Sequence, residues 1–470
     1  MGYFELLSDS DLKQIHATAM QILDTIGIAF PLEEALDVFR QHGARVEAGR
    51  VHMTEAQVMD AIRDVPKQFT LHARNPQRSV TVGGGSTIFA PGYGAPFLVD
   101  AETGKRGATL EDYHTLAKLS HALPNQDVSG YLLVEPEEVP AAHLHMLYAH
   151  MTHSDKPFIG STAGREGARQ TLEMARILFG GDLGDRAVTI SLINSLSPLG
   201  YSTEMLDVLM EYAAARQPMV IAALAMAGST GPVSLAGVLA MQTAELLAGI
   251  ALTQFISPGM PVVFGSTSTN IDMKSGALCI GSPELSQMVA AHAQLARFYG
   301  IPSRSGGALT DASYADAQAG FESMMGLLTT ANSGVDFVLH SAGILSSYLA
   351  FSFEKFVLDD EMCGMVRRLR QGFVVSPETL AYDVISKVGP GGNYLMEDHT
   401  LARCRTEFWR PGVVDRAGLE AWMMGGRKDA VARARARWQK LVASHKDPEL
   451  DATIARQLQA YLEAQLAGQS

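Results

Sequence analysis

The sequence predicts an α/β protein, a (β/α)8 barrel with a helical and small β extension before it and a helical cap after it. From about residue 128, short β-rich runs recur roughly every thirty to forty residues, and each is followed by a helical stretch. Hydrophobic residues make up 47% of the 470 residues, which is enough for a large core. We expect three regions, 1–125, 126–376 and 377–470. A doubly wound open sheet is the second interpretation.

The N-terminal region is expected to begin with three helices. Ser8 starts a capping box ahead of an apolar stripe, and Gly27 ends that helix. Pro31 opens a second helix that ends near Gly43, and Thr54 caps the third. Alternating segments then predict a small antiparallel sheet. These segments are "QFTLHA", "SVTVGG", "STIFA" and "APFLVD".

Seven further β-rich runs are the expected barrel strands. They are "SGYLLVE", "KPFIGST", "AVTISLIN", "PMVIAALA", "PVVFGST", "PSRSGGA" and "VDFVLHSAG". An eighth is expected near "GFVVSP". Barrel enzymes place their chemistry at the C-terminal ends of the strands. The residues expected at those ends are Asn194, Met226, Thr267, Ser268, Asn270, Arg304, Gly306 and His340.

Charge and cysteine content exclude several classes of protein. A formal net charge of −13 argues against nucleic-acid binding, which needs a basic face. The odd, scattered cysteines Cys279, Cys363 and Cys404 argue against a disulfide framework and fit a reducing cytoplasm. The acidic N-terminus does not resemble a signal peptide. The apolar run "PMVIAALAMAG" is about half the length of a membrane span, so we expect no membrane association.

No metal or nucleotide site is expected. "HLHMLYAHMTH" supplies His143, His145, His150 and His153, but only His143 and His150 share a helical face, and no Cys or HExxH accompanies them. "GPGGN" is not followed by Lys-Ser/Thr, and the glycines at 83–85 lack the GxGxxG spacing.

The segment "DYHTLA" nearly matches the D-x-H-x-x-G motif with which some proteins hold cobalamin. It lacks the glycine and follows a helix-capping "TLED", so it is interpreted as the start of a helix. We therefore expect this chain alone to bind no cobalamin.

Aromatic residues flank the glycine-rich segments that end several strands, as in "FAPGYGAPF" and "SRSGGALTDASYADAQAGFE". Aromatics at such spacing are commonly core residues, yet these are well placed to line a pocket. Ring faces attract quaternary ammonium groups through cation–π contacts. The candidate rings are Tyr93, Tyr314, Tyr348, Phe351 and Phe353.

Four long segments, in order and spread over nearly the whole chain, resemble hallmark segments of the trimethylamine methyltransferase superfamily. They are "FAPGYGAPFLVD", "SGGALTDASYADAQAGFE", "LHSAGILSSYLAFSFEKFVLDDE" and "GPGGNYLMEDHTLARCRTEFWRPGVVDR". The resemblance implies a (β/α)8 barrel that passes a methyl group from an amine to Co(I) of a separate corrinoid protein. The founding branch carries an in-frame pyrrolysine, which this sequence lacks. Members without it act on quaternary amines such as glycine betaine.

The resemblance thus implies demethylation of glycine betaine to dimethylglycine, with the cobalamin carried by the partner protein. Carnitine, proline betaine and trimethylamine remain alternative substrates, and a non-catalytic betaine-binding protein is the alternative of another class. A quaternary ammonium already has a neutral tertiary amine as its leaving group, so no general acid or base is required.

Roles for the charged candidates follow from this chemistry. Arg304 and His340 are candidates to hold the substrate carboxylate. Asp311 and Glu354 are candidates to place negative charge near the ammonium, with structural ion pairs as the alternative. Residues 387–416 are expected to cap the barrel or to form part of the surface that docks the corrinoid protein. We also expect a homo-oligomer.

Overall fold

The computed structural model describes residues 2–100, 103–131 and 139–468. The expected strand "SGYLLVE" runs from residue 129 to 135, so its second half lies outside the described residues.

The strands of the described residues are, in chain order, β1 Ile28–Ala29, β2 Arg45–Glu47, β3 Arg50–His52, β4 Gln68–Leu71, β5 Val80–Gly83, β6 Ile88–Phe89, β7 Phe97–Asp100, β8 Gly104–Gly107, β9 Phe158–Ile159, β10 Thr189–Asn194, β11 Met219–Ala223, β12 Met226–Ala227, β13 Val262–Ser266, β14 Thr269–Asn270, β15 Ser303–Ser305, β16 Phe337–Val338, β17 Ile344–Leu345 and β18 Ala350–Phe351.

The α-helices are α1 Asp9–Gln21, α2 Glu33–Gln41, α3 Glu55–Ile62, α4 Leu110–Ala122, α5 Ala142–His153, α6 Gly164–Phe179, α7 Thr203–Ala214, α8 Leu235–Ile256, α9 Pro283–Tyr299, α10 Ala317–Asn332, α11 Phe353–Gln371, α12 Pro377–Leu380, α13 Tyr382–Val388, α14 Asp398–Arg403, α15 Leu419–Met424, α16 Ala430–Ala443 and α17 Ala452–Ala467. A π-helical turn, Ile22–Ile26, continues α1, and a 3-10 turn spans Pro76–Arg78.

A curled sheet of seven strands forms the centre of the fold, in the order β6-β16-β15-β13-β11-β10-β9. Every neighbouring pair in this sheet is parallel. From β9 to β16 the order in space follows the order in the chain, with helices between the strands, which is the βα repeat that the sequence predicts. The mixed α/β class with a parallel central sheet is therefore confirmed.

An apolar cluster fills the inside of the curl. Six of the seven strands contribute to it, through Ile88, Ile159, Ile190, Leu192, Val220, Ala222, Val263 and Phe337. The exception is β15, which contributes none of its residues to this cluster. Leu71 and Val82, from the antiparallel pair β4 and β5, also belong to the cluster.

The two edges of the sheet approach each other through residues 127–129. Ser129 forms a parallel bridge to Phe158 of β9. The Asp127 N–H donates a 2.8 Å hydrogen bond to the Phe89 carbonyl of β6 at the opposite edge. The predicted strand "SGYLLVE" thus starts beside β9, two residues after the contact of Asp127 with β6.

Two strand predictions are wrong in their pairing. "QFTLHA" and "SVTVGG" do pair antiparallel, as β4 and β5, but "STIFA" forms β6 of the central parallel sheet. "APFLVD" forms β7, which pairs with β8 and β18. Alternating polarity marks a strand but carries no information on its partner, and the parallel sheet draws one strand from region 1–125.

The prediction of a strand at "GFVVSP" is also wrong. Residues 372–376 form neither helix nor strand, and the Phe373 side chain is 79% exposed. A short apolar run resembles a buried strand when only the sequence is read.

The predicted starts of the N-terminal helices are confirmed. Ser8 and Thr54 each form a capping box, at α1 and α3. The second helix begins at Glu33, two residues after Pro31, and ends at Gln41.

Helix α8 is long and apolar enough to cross a membrane by length and composition alone. It is longer than the apolar run considered in the sequence. In the fold most of this helix is buried, and it packs on β11 and β13. The apolar composition is therefore that of a core helix.

Candidate active site

A buried arginine lies where the inner apolar cluster is interrupted. Arg304 is in register with Gly265 of β13 and Phe337 of β16. Residues in register on parallel strands face the same side of a sheet, and Phe337 belongs to the inner cluster. The Arg304 side chain therefore points into the curl of the sheet, and the residue is only 2% exposed.

Arg304 donates from Nη2 to Nδ1 of His340, over 3.0 Å. An arginine can only donate, so His340 must present an unprotonated Nδ1. Burial, followed by the neighbouring guanidinium, holds the pKa of His340 well below its usual range. Burial also lowers the pKa of Arg304 to about 10, which still leaves it charged near neutral pH. The pair is thus a buried cation beside a neutral imidazole.

The positive charge of Arg304 has no carboxylate partner among the described residues, and its Nε is buried without a hydrogen bond. An uncompensated buried charge costs several kcal/mol. A bound anion would remove that cost. The arrangement therefore favours a ligand with a carboxylate or a similar anionic group.

Tyr348 lies beside this pair. Its ring centroid is 4.8 Å from that of His340, and its hydroxyl oxygen is buried without a hydrogen-bond partner. Thr267, after β13, lies near enough to affect the pKa of Tyr348, yet not in hydrogen-bond geometry. Burial raises the pKa of Tyr348, so the phenol stays protonated and has a proton to donate. Two buried polar groups, Tyr348 Oη and Arg304 Nε, thus lack partners in one region.

The segment that carries Tyr348 has an unusual backbone. Ser346, Ser347 and Tyr348 have φ values of 48°, 52° and 76°, and His340 has 64°. Left-handed conformations of residues other than glycine cost about 1–3 kcal/mol each and persist only where the surroundings impose them. Residues 346–348 are therefore held in place by their contacts.

Asp311 provides part of those contacts, beside backbone bonds from Ser346 and Ser347 to the carbonyls of Ala312 and Thr310. Its carboxylate accepts from the Ser347 hydroxyl at 2.7 Å and from the backbone N–H groups of Ile280 and Gly281 at 2.8 and 3.1 Å. These contacts tie three loops together at the C-terminal ends of the strands. Asp311 thus positions the Tyr348 loop.

Tyr93 also belongs to the group around Arg304 and His340. It follows β6, packs against the inner cluster, and its backbone lies beside the His340 ring. Its hydroxyl pairs with Thr162 Oγ1 at 3.1 Å, and its ring centroid is 6.5 Å from that of Tyr131. Thr162 and Tyr131 were not among the predicted site residues. The sequence pattern places Tyr131 inside one predicted strand and Thr162 at the end of another, and gives neither a chemical role.

The structure therefore brings together five of the nine predicted site residues. They are Tyr93, Arg304, Asp311, His340 and Tyr348.

The other four lie in different surroundings. Tyr314 is 51% exposed, on the loop before α10. Phe351 is fully buried in the core against Phe356. Phe353 stacks on Trp438 of α16, with ring centroids 4.8 Å apart.

Glu354 forms the structural ion pair that was the alternative for it. Its carboxylate accepts from Arg435 Nε at 2.9 Å and from Trp438 Nε1 at 3.0 Å. These bonds fasten α16 to α11.

The near-match to a cobalamin motif is the start of a helix, as predicted. Thr109 forms a capping box with Asp112 at the beginning of α4. His114, which occupies the histidine position of the motif, pairs through Nδ1 with Nε2 of His153 at 2.9 Å.

The chain is similar to known proteins over nearly its whole length. The family model described as trimethylamine methyltransferase matches residues 1–468. A glycine betaine methyltransferase of Desulfitobacterium hafniense (strain Y51) is 48% identical over 463 residues, covering 98% of this chain and 96% of the relative. A proline betaine:corrinoid methyltransferase of Eubacterium limosum is 33% identical, covering 98% and 97%.

The fold has solved counterparts. The crystal structure of the Methanosarcina barkeri monomethylamine methyltransferase matches with a TM-score of 0.51 at 15% identity, covering 94% of this chain and 96% of the other. At that identity the match concerns the fold alone.

Proposed function

Because this chain belongs to the trimethylamine methyltransferase family, we propose that it transfers a methyl group from glycine betaine to Co(I) of a separate corrinoid protein. The bond between nitrogen and the methyl carbon breaks, and its electron pair stays on nitrogen, so dimethylglycine leaves as a neutral tertiary amine. The corrinoid, carried by the partner protein, supplies the nucleophile. This chain binds the substrate, orients one methyl group and excludes water.

The observation that carries this proposal is the buried, unpaired Arg304. Glycine betaine combines a carboxylate with a permanent cation, and its carboxylate would compensate the Arg304 charge through charge-assisted hydrogen bonds. Tyr348 would donate its unpartnered hydroxyl to the same carboxylate. His340 holds the guanidinium through the 3.0 Å bond to Nδ1.

The rings of Tyr93 and Tyr348 are proposed to face the ammonium. A quaternary ammonium cannot lose a proton on burial, so it needs ring faces or carboxylates around it. Both tyrosines lie beside His340, on the side of the sheet where the strands end. The carboxylate would then lie deeper, on Arg304, with the methyl groups toward the approaching corrinoid.

The same pocket favours betaines over trimethylamine. Trimethylamine has no carboxylate, so its binding would leave Arg304 without a counter-charge. Proline betaine and carnitine keep both groups, and relatives that act on them are each 33% identical to this chain. Carnitine is longer, and proline betaine carries a ring, so the space around Tyr93 and Tyr348 would decide among them.

We further propose that the central sheet is a closed (β/α)8 barrel. Residues 127–129 would supply the eighth strand, between β9 and β6. The parallel bridge from Ser129 to Phe158 and the bond from Asp127 N–H to Phe89 O support this closure.

We propose that the protein works as a homo-oligomer built on the surface of residues 373–424. This surface exposes many large apolar side chains, with Tyr382 76%, Leu395 77% and Met396 93% exposed. Residues 373–424 hold seven acidic and five basic side chains, so they carry −2 of the net charge of −13. A second copy of this acidic chain would meet little repulsion there, and permanent interfaces between identical chains are the most apolar class.

We also propose that the protein works in the cytoplasm. Co(I) chemistry requires reducing conditions, and Cys279, Cys363 and Cys404 are free thiols.

A demethylation assay tests the function. The purified chain is mixed with glycine betaine and free cob(I)alamin as methyl acceptor, and dimethylglycine and methylcobalamin are quantified. We expect the two products in equal amounts with glycine betaine, and none with trimethylamine. Demethylation of another quaternary amine in preference to glycine betaine would show that the other amine is the substrate. Tight betaine binding without any demethylation would support the non-catalytic alternative.

A further inference from the structure

Histidines from distant parts of the chain converge beside α5, away from the proposed active site. His153, the last residue of α5, presents Nδ1 to Asp447 Oδ1 at 2.6 Å. His445 presents Nε2 to the same oxygen at 3.0 Å. His153 and Asp447 are 294 residues apart in sequence. The three ligand atoms lie within 4.8 Å of one another.

The surroundings suit metal ligands. His114 Nδ1 lies 2.9 Å from His153 Nε2, so with a metal bound His153 can donate its Nε2 proton to His114 and keep the Nδ1 lone pair for the metal. Ligating histidines are commonly oriented in this way through the second ring nitrogen. The side chain of His445 is only 5% exposed, so its ring is held within the fold.

We propose that His153, His445 and Asp447 bind a divalent transition metal, for which zinc is the best fit. Two imidazole nitrogens and one carboxylate oxygen form a common ligand set for zinc, with water in the fourth position. Without a cation, the Asp447 oxygen serves as acceptor for both rings. With one, the three groups would turn their lone pairs toward a shared centre.

The position of the site suggests a structural role. His445 and Asp447 lie in the segment between α16 and α17, whereas His153 ends α5, within the first third of the chain. The same segment is also fastened by Arg74, which donates to the Glu449 carbonyl. A metal would hold the C-terminal helices to α5. It would take no part in methyl transfer, which needs no Lewis acid.

The sequence prediction of no metal site rested on ligands within "HLHMLYAHMTH" alone. Only His153 of that segment belongs to the cluster, and its partners are far along the chain. Sequence spacing cannot reveal a site of this kind.

Zinc titration of the chelator-treated full chain tests the proposal. We expect one zinc per chain by calorimetry, and a rise in Tm on addition of zinc, because a ligand that binds only the folded state stabilises it. His445→Gln keeps an amide that can donate to Asp447 but removes a ligand nitrogen, and Asp447→Asn removes the anionic oxygen. Each should weaken zinc binding by about tenfold or more.

The control is His42→Gln, which changes a histidine that directly follows α2, bonds to the Val38 carbonyl and stacks on Phe255, away from the proposed metal ligands. It should bind zinc as the wild type does. The proposal is wrong if the wild type binds no stoichiometric zinc, or if the Gln and Asn variants bind zinc as tightly as the control. Tm and zinc stoichiometry are measured without substrate, so the outcome does not depend on the methyltransferase activity.

Discussion

At the scale of single residues, the buried charge of Arg304 distinguishes a substrate site from an ordinary apolar core. Replacement by Met keeps an unbranched apolar chain and removes the charge. Loss of hydrogen bonds to a charged group costs roughly 1.5–3 kcal/mol, so Arg304→Met should weaken glycine betaine binding by about ten- to 150-fold. Calorimetric titration measures the change.

Choline serves as the matched ligand in this experiment, because it keeps the quaternary ammonium and lacks the carboxylate. Its weak binding should change little in Arg304→Met. The Tm of the variant should not fall, since an uncompensated buried charge has been removed. Equal losses for betaine and choline, or a large loss of stability, would indicate that Arg304 is structural.

The proposed contact of the Tyr93 and Tyr348 rings with the ammonium is tested by replacing each with leucine, which keeps much of the volume and removes the π face. Each desolvated ring contributes roughly 1–2 kcal/mol, so Tyr93→Leu and Tyr348→Leu should each weaken betaine binding by about five- to thirty-fold. Phe353→Leu is the control, because Phe353 stacks on Trp438. Wild-type affinity in both tyrosine variants would place the ammonium elsewhere.

At the scale of elements, local signals predicted local structure well. Ser8, Thr54 and Thr109 begin helices through capping boxes that involve only neighbouring residues. The parallel strands were recognisable because buried apolar runs alternate with helices. The pairing of β6 was not, since a two-residue strand gains its partner from residues about 250 positions away, as in the Ile88–Phe337 pair.

The Tyr348 loop shows a second limit of prediction from the sequence. Its left-handed residues are two serines and a tyrosine, and no glycine marks the turn. Long-range contacts impose this conformation, among them the bond from the Ser347 hydroxyl to Asp311 and backbone bonds to Thr310 and Ala312. The sequence could therefore suggest Asp311 as a site residue but not as a residue that positions the loop.

Asp311→Asn should release that loop. The amide accepts fewer bonds and carries no charge, so the strained conformation of residues 346–348 loses support. We expect betaine affinity to fall several-fold although Asp311 is not proposed to touch the ligand. Asp272→Asn is the control, because Asp272 holds its own turn through Ser275 and Lys274. Unchanged affinity in Asp311→Asn would show that the loop keeps its shape without the carboxylate.

At the scale of the whole molecule, the resemblance correctly indicated the family and the α/β class with a parallel sheet, because it spans nearly the full chain. The C-terminal region was harder to predict. Residues 430–443 do pack on the rest of the fold, as α16 against α11, through Glu354 and Arg435. Residues 373–424 instead expose apolar side chains that a single chain leaves uncovered.

That surface predicts the behaviour of the protein in solution. Light scattering after size-exclusion chromatography should give a mass of at least twice the 50.5 kDa of one chain. Leu395→Glu combined with Met396→Glu should shift the mass toward a monomer by burying charge in an apolar interface. Val233→Glu, at a residue 73% exposed elsewhere, is the control and should not change the mass. A monomeric wild type would contradict the proposed interface.

A crystal structure of the chain with glycine betaine tests the central claim most directly. The account predicts the betaine carboxylate within hydrogen-bond distance of Arg304 and Tyr348, and the trimethylammonium against the rings of Tyr348 and Tyr93 at the open end of the strands. Betaine bound away from Arg304, or bound with its ammonium toward that guanidinium, would contradict it.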